Sequence, residues 1–283
     1  MTSPFARRRL INRLVELACI AATLFAIVPL VSILLYVAKE GISGLNWEFF
    51  TRLPQPVGEP GGGMANAIVG TLVLVGLACL VGIPVGVLGG IYLAEFGRSK
   101  FATVLRFSSD VLAGVPSIVV GMFVYEVVVV PMGHQSAHAG GIALGILMVP
   151  TVIRTTEELL KLVPDTLREA ALALGVPKWR AILWVVLRTA APGIATGVML
   201  AVARATGETA PLLFTAANNR FWVNSLDQPI ASLTVQIYQY SVSPYEDWHR
   251  QAWTAALVLV TIVLLLDIGA RALVRQRPGA RAA

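Results

Sequence analysis

Six long apolar stretches constrain the fold of this 283-residue chain more than any other feature. A helix of about 20 apolar residues crosses roughly 30 Å of hydrocarbon, so each stretch is interpreted as one membrane span. None of them alternates between apolar and polar residues as a membrane barrel strand does. The stretches are residues 14–37, 67–93, 111–130, 140–153, 182–217 and 253–273. They predict an all-α integral membrane protein with six transmembrane helices, in a single domain that covers residues 1–283.

The charged residues are few, and the basic ones are unevenly distributed. They make up 13% of the chain, whereas a soluble domain carries roughly 25%. Most Lys and Arg residues lie before the first stretch, after the second, between the fourth and fifth, and after the last. The other connections contain only Lys39, Arg52, Arg220 and Arg250. Because basic loops stay cytoplasmic, both termini are predicted to be cytoplasmic. This topology accounts for the net charge of +6 without a nucleic-acid partner.

The cytoplasmic connection 154–181 contains a short helix with a signal at each end. Pro164 can begin it and Asp165 suits its first turn, while Gly175 can provide a left-handed cap that Pro177 follows. Its apolar positions share one face: Leu167, Ala170, Ala171 and Leu174. Such a helix is suited to docking into a groove of another protein. The alternative is a helix that lies on the membrane surface or against the bundle.

Motifs for catalysis are missing from the sequence. It has no GxxxxGK[ST] phosphate loop, so the chain is not expected to bind ATP itself. No nucleophile motif or carboxylate pair falls in a predicted pocket, and an enzyme is therefore not predicted. His134 and His138 have helical spacing, but the sequence provides no Cys or carboxylate near them, and no metal site is predicted.

Several segments resemble a known transporter family. Glu169-Ala170-Ala171, followed after three residues by Gly175, resembles the EAA loop by which ABC importer permeases dock on their ATP-binding subunits. From about Gly61 onward, further segments are similar, in order, to the PstA-type phosphate-uptake permeases. These segments are GGGMANAIVGT, GIYLAEFGR, GVPSIVVGMFVY, VPTVIRTTEELLKLVP, REAALALGVPKW and RATGETAPLLFTA.

The resemblance implies a fold, a function and partners. The fold is that of an ABC importer permease in the bacterial inner membrane, and Glu169, Ala170, Ala171 and Gly175 couple it to the ATPase. The substrate is inorganic phosphate, which a periplasmic binding protein delivers. The partners are a homologous permease of the PstC type and a dimer of PstB-type ATPases, which bind ATP and Mg. The alternatives are a permease for another oxyanion and an ion-coupled secondary anion transporter, which needs no docking helix.

The fifth stretch carries two charged residues, Arg204 and Glu208. A charge near the bilayer centre costs from about 3 kcal/mol upward. On a helix the two side chains are one turn apart and can pair, and Pro211 crowds the carbonyl of Gly207, which predicts a kink between them. In a phosphate permease, Arg204 would contact the dehydrated anion and Glu208 would position it. The alternative is a salt bridge that only fixes helix packing.

Two further positions, Arg154 and Pro116, are candidates for functional residues. Arg154 follows the fourth stretch and either faces the substrate pathway or extends to the cytoplasmic surface. Pro116 lies in GVPSIVVG and predicts a break or bend in the third span, with a role in hinge motion or in packing.

Overall fold

The computed structural model describes residues 4–56, 59 and 61–275, and every regular element in these ranges is helical. In chain order the helices are α1 (Pro4–Ile42), α2 (Trp47–Thr51), α3 (Ala65–Glu95), α4 (Lys100–Gly114), α5 (Ser117–Val124), α6 (Val130–Met132), α7 (Ala137–Lys161), α8 (Asp165–Ala173), α9 (Lys178–Arg180), α10 (Leu187–Thr206), α11 (Ala210–Thr215), α12 (Leu233–Ser241) and α13 (Glu246–Arg275). A π-helical turn at Tyr125–Val129 joins α5 to α6, and another at Ala181–Val186 joins α9 to α10.

Five helices are long and apolar enough to cross a membrane. They are Arg7–Ile42, Ala65–Glu95, Ala137–Lys161, Lys178–Thr206 and Glu246–Gly269. A sixth crossing results if the bent pair Lys100–Gly114 and Ser117–Met132 counts as one span. The predicted all-α membrane fold is therefore confirmed for the described residues. We call the end of the bundle that carries α8 the α8 end, and the opposite end, which carries α12, the α12 end.

The centre of the fold is the contact between α3 and α7. The contacts advance in the same direction along both helices, so α3 and α7 are parallel. A Cβ atom added to Gly82 would lie 3.0 Å from Met148 Cβ, and one added to Gly86 would lie 2.5 Å from Val152 Cβ. At Gly90 it would lie 2.4 Å from Thr156 Cβ. The four-residue spacing of these glycines thus lets the two backbones approach closely.

The third predicted stretch, 111–130, is not one continuous helix. Helix α4 ends at Gly114, α5 begins at Ser117, and the two helices are bent by 105°. Pro116 caps the start of α5 and disfavours the helical conformation in Val115, which is extended with φ −70° and ψ 131°. The break thus lies at Pro116, where the sequence predicts it, but α4 begins eleven residues before the predicted span.

Helix α7 extends beyond the fourth predicted stretch, 140–153, and into the predicted connection 154–181. Helix α7 extends from Ala137 to Lys161, so residues 154–161 are helical and the connection begins only at Leu162. At its other end, α9 already begins at Lys178. The apolar pattern stops at Ile153 because the last turns of α7 carry charged residues, of which Arg154 and Glu157 pair with Asp110 and Arg106 of α4.

The fifth stretch, 182–217, contains a break in place of the predicted kink. Helix α10 ends at Thr206, residues 207–209 are not helical, and α11 begins at Ala210. Pro211 lies in the first turn of α11, where its missing N–H does no harm, so it starts a new helix. A Cβ atom on Gly121 would lie 2.5 Å from Pro211 Cα, which shows how closely α11 packs against α5.

Candidate functional site

Arg204 and Glu208 lie beside the middle of the bundle. They line a narrow cleft together with Leu147, Met148 and Thr151 of α7. These α7 residues are at the centre of a helix that extends from Ala137 to Lys161. The two charged groups are therefore about equally far from both ends of a spanning helix.

The Arg204–Glu208 pair is loose. Arg204 Nε lies 4.0 Å from Glu208 Oε1, and the side chains are 65% and 17% exposed. A charge-assisted hydrogen bond would be about 2.7–2.9 Å long. Glu208 is not on α10, so the predicted placement of both residues on one helical face is wrong.

The backbone of Glu208 is held in place although it is not helical. The Thr234 hydroxyl donates a hydrogen bond of 2.9 Å to the Glu208 carbonyl oxygen. The Glu208 amide donates to the carbonyl oxygen of Ala205 at 3.2 Å. The backbone that carries the Glu208 carboxylate is thereby anchored, while the arginine extends from the end of α10.

Arg154 lies on the same face of α7 as Leu147 and Thr151. Its Nη1 atom lies 3.1 Å from Asp110 Oδ1, and its Nε atom lies 3.4 Å from Glu158 Oε1. One helical step of three residues brings Arg154 about 4.5 Å further toward the α8 end than Thr151. Arg154 is also 65% exposed. One strip of the surface thus carries Arg204 at mid-depth and Arg154 closer to α8.

A second Arg–Glu pair was not predicted from the sequence. Arg106 of α4 donates to Glu157 Oε1 through Nη2 at 2.7 Å and Nε at 3.2 Å, and Lys161 Nζ lies 2.5 Å from the same oxygen. The Glu157 side chain is only 8% exposed. The signal available in the sequence was the i,i+4 spacing of Glu157 and Lys161, but Arg106 is 51 residues away.

Helix α8 has the two ends that the sequence predicts, and Gly175 adopts the left-handed conformation, with φ +78°. The Gly175 amide donates to Leu172 O at 2.9 Å and the Val176 amide to Ala171 O at 3.1 Å, which is a Schellman cap. The apolar face is less buried than a packed helix requires. Only Ala171 is buried, and Leu167, Ala170 and Leu174 are exposed, as is Glu169.

Arg168 attaches α8 to the bundle. Its guanidinium donates to the carbonyl oxygens of Val163 at 2.7 Å and Leu160 at 2.8 Å, and it contacts Glu95 at 3.2 Å. It therefore connects α8 to the ends of α7 and α3. Leu167, Ala170 and Leu174 remain exposed beside these contacts.

His134 and His138, from the third connection, are at the α12 end. His138 Nε2 lies 3.5 Å from Asp227 Oδ1, so the expectation that no carboxylate is near is wrong. His134 Nδ1 lies 3.2 Å from the Gln135 carbonyl oxygen. Among the described residues, no three His, Cys, Asp or Glu side chains cluster as metal ligands would.

Spanning helices, a docking-type helix outside them and an exposed arginine at mid-depth define the class as a multi-pass membrane permease. The fold matches a solved inward-facing structure of the MetNI methionine ABC transporter, with a TM-score of 0.60 and 21% identity over 75% of this chain and 92% of that chain. Residues 86–277 match the family model for the binding-protein-dependent transport system inner membrane component.

Closer relatives cover nearly the whole chain. The phosphate transport system permease protein PstA of Yersinia pestis is 48% identical over 273 residues, which are 96% of this chain and 92% of that protein. The PstA of Xylella fastidiosa strain Temecula1 is 47% identical over 95% of this chain and 94% of that protein. The chain belongs to the PstA family of phosphate transport system permease proteins, within the binding-protein-dependent inner membrane components.

Proposed function

We propose that this chain is the permease subunit through which an ATP-driven importer moves inorganic phosphate across the bacterial inner membrane. The observation that carries the proposal is the guanidinium of Arg204, which is 65% exposed on this chain beside the middle of α7. A charge that faced lipid at that depth would cost from about 3 kcal/mol upward. Arg204 therefore faces a second protein subunit or a water-filled pathway.

The chemistry of the site suits phosphate. A guanidinium has a planar fork of donors that matches phosphate oxygens and compensates for water that the anion loses. Glu208 lies close enough to orient Arg204 and to prevent the anion from binding too tightly to leave. Arg154 is the next exposed cation toward the α8 end, so it would receive the anion after Arg204.

The remaining parts of the transporter are assigned to the two ends of the bundle. The α8 end is cytoplasmic and holds both termini. There the exposed Leu167, Ala170 and Leu174 dock on a dimer of PstB-type ATPases, which bind the ATP and Mg. A periplasmic phosphate-binding protein delivers phosphate to the α12 end. A homologous PstC-type permease covers the surface around Arg204 and completes the pathway.

The test exchanges the two charged residues in Arg204→Glu with Glu208→Arg. A pair that only fixes packing keeps its attraction after the exchange, whereas a substrate site then presents a carboxylate to the anion. We expect phosphate uptake by the reconstituted transporter to be lost while all subunits still copurify. Near-normal uptake by the exchanged pair would refute the role of Arg204.

The matched control is the exchange Asp267→Arg with Arg271→Asp in α13. This pair also has i,i+4 spacing, with a distance of 3.0 Å and an arginine that is 66% exposed, but it lies near the end of its helix. We expect this exchange to leave uptake unchanged. Competition by sulfate, arsenate and molybdate in the same assay tests phosphate against other oxyanions.

A further inference from the structure

Helix α4 has an apolar face that the rest of the described chain leaves mostly exposed, although the Phe101 ring meets Tyr92 edge-on with 5.4 Å between ring centroids. Phe101, Val104, Phe107 and Val111 lie on one side of the helix and are 51–69% exposed. The opposite side packs against the bundle through the buried Ala102 and Ser109 and through the ion pair of Arg106. Helix α4 is thus amphipathic, with its polar anchoring groups turned toward α7 and its large apolar groups turned away.

The contacts of α4 show that it crosses α7 instead of running along it. Ala102 packs with Ile153, Arg106 bonds to Glu157, and Asp110, one turn beyond Arg106 on α4, bonds back to Arg154. The α7 partners of α4 lie about four to eight residues beyond the centre of α7, which is about 6–12 Å along its axis. The edge of the hydrocarbon is about 15 Å from the bilayer centre. Helix α4 therefore lies near that edge, at nearly constant depth.

The bend at Pro116 agrees with this orientation. The segment Ser117–Met132 is turned by 105° from α4 and rises toward the α12 end. It packs against α7 through Val124 and Val129, which contact Ala139 and Ala143. If this segment crosses the membrane, a helix at 105° to it lies close to the membrane plane.

The charges near α4 indicate lipid as its occupant. Arg98 and Lys100 are exposed at its start, where they can reach headgroup phosphates. The acidic groups nearest to α4 are engaged on the bundle side, Glu157 with Arg106 and Asp110 with Arg154. An outward surface of large apolar side chains with basic residues at one end is typical of a helix in the membrane interface.

We infer that α4 lies in the plane of the membrane, in the leaflet at the α8 end, with Phe101, Val104, Phe107 and Val111 among the acyl chains of phospholipids. Arg98 and Lys100 bind the headgroup phosphates of the same leaflet. The inference requires that the chain spans a membrane and does not depend on which anion it transports.

The test places single spin labels on α4 of the complete transporter in vesicles of phosphatidylethanolamine and phosphatidylglycerol. Cys19 and Cys79 are first replaced, and cysteines are then introduced at positions 101, 104, 107 and 111. We expect collision rates with oxygen to exceed those with a water-soluble nickel chelate several-fold at all four positions. Labels at the buried positions 102 and 109 are the matched controls and should be shielded from both reagents. A preference for the nickel chelate at the four outer positions, or shielding from both reagents, would overturn the inference.

A second measurement distinguishes lipid from protein as the occupant. A photoreactive benzoylphenylalanine in place of Phe107 is activated in whole membranes. We expect adducts with phospholipid, detected by mass spectrometry of the purified chain. Crosslinks to another permease or to an ATPase subunit would show a protein on this face and overturn the inference. Position 111 provides the same measurement if the variant at 107 does not assemble.

Discussion

Two arginine–glutamate pairs, Arg106–Glu157 and Arg204–Glu208, differ in almost every geometric respect. The first is 2.7 Å long, shares its buried carboxylate with Lys161 and connects α4 to α7. The second is 4.0 Å long, and its arginine is 65% exposed. Both pairs combine the same functional groups. Their geometry indicates that the first pair holds two helices together, while the second leaves a guanidinium available to a ligand or a neighbouring subunit.

Arg204→Gln is expected to have the largest effect, and it tests whether the exposed guanidinium of the Arg204–Glu208 pair acts on the anion. The amide keeps hydrogen-bonding groups but provides no positive charge to a dehydrated anion. Loss of a charged hydrogen bond of about 1.5–3 kcal/mol corresponds to about a 10- to 100-fold fall in phosphate uptake. The assay is radiolabelled uptake normalised to the intact complex. Arg271→Gln is the control for removal of an exposed, paired arginine, and a similar loss in both variants would contradict a specific role for Arg204.

Glu157→Gln tests the Arg106–Glu157 pair. The neutral amide leaves Arg106 and Lys161 without their shared carboxylate, so we expect the complex to lose about 1–3 kcal/mol of stability. The measurement is the thermal unfolding midpoint of the purified transporter, and the aggregation of this chain is the signal that is monitored. Glu158→Gln is the control, because Glu158 is 67% exposed and its bond to Arg154 is 3.4 Å long. An unchanged midpoint for Glu157→Gln would mean that the Arg106–Glu157 pair does not hold α4 to α7.

Thr234→Val should have the smallest effect, and it tests how the backbone of Glu208 in the Arg204–Glu208 pair is held. The substitution keeps the shape of the side chain but removes the hydrogen bond to the Glu208 carbonyl, which is worth about 1 kcal/mol. We expect uptake to fall a few-fold at most, with a normal unfolding midpoint. Ser232→Ala, which removes the nearby helix cap at Val235, controls for loosening of α12. A larger fall in the midpoint than in uptake would make Thr234 a residue for stability alone.

The sequence predicted the features that depend on local signals. The start of α8 after Pro164, its cap at Gly175 and the break at Pro116 all follow from residues within one turn of the feature. Each of these features would be readable in an isolated peptide.

The features that the sequence did not predict depend on contacts between distant segments. Helix α7 continues past Ile153 because its charged residues find partners on α4, and Arg106 and Glu157 are 51 positions apart. Residues 207–209 are held outside a helix with the help of the hydrogen bond from Thr234 to Glu208. Thr234 is 26 residues away, so from the sequence the effect of Pro211 could be interpreted as a kink or as a new start. Hydrophobic periodicity contains no information about either partner.

The glycine contacts between α3 and α7 have a mechanical consequence. Gly86 and Gly90 fit against Val152 and Thr156 so closely that the two helices cannot slide by one turn without first separating. During a transport cycle they would move together as one rigid body, because close-packed interfaces have discrete arrangements and do not deform gradually. Displacement would then fall on segments where the backbone is not helical, and residues 207–209 are one of them. Residues 207–209 include Glu208, so a rotation there would change the distance between its carboxylate and Arg204.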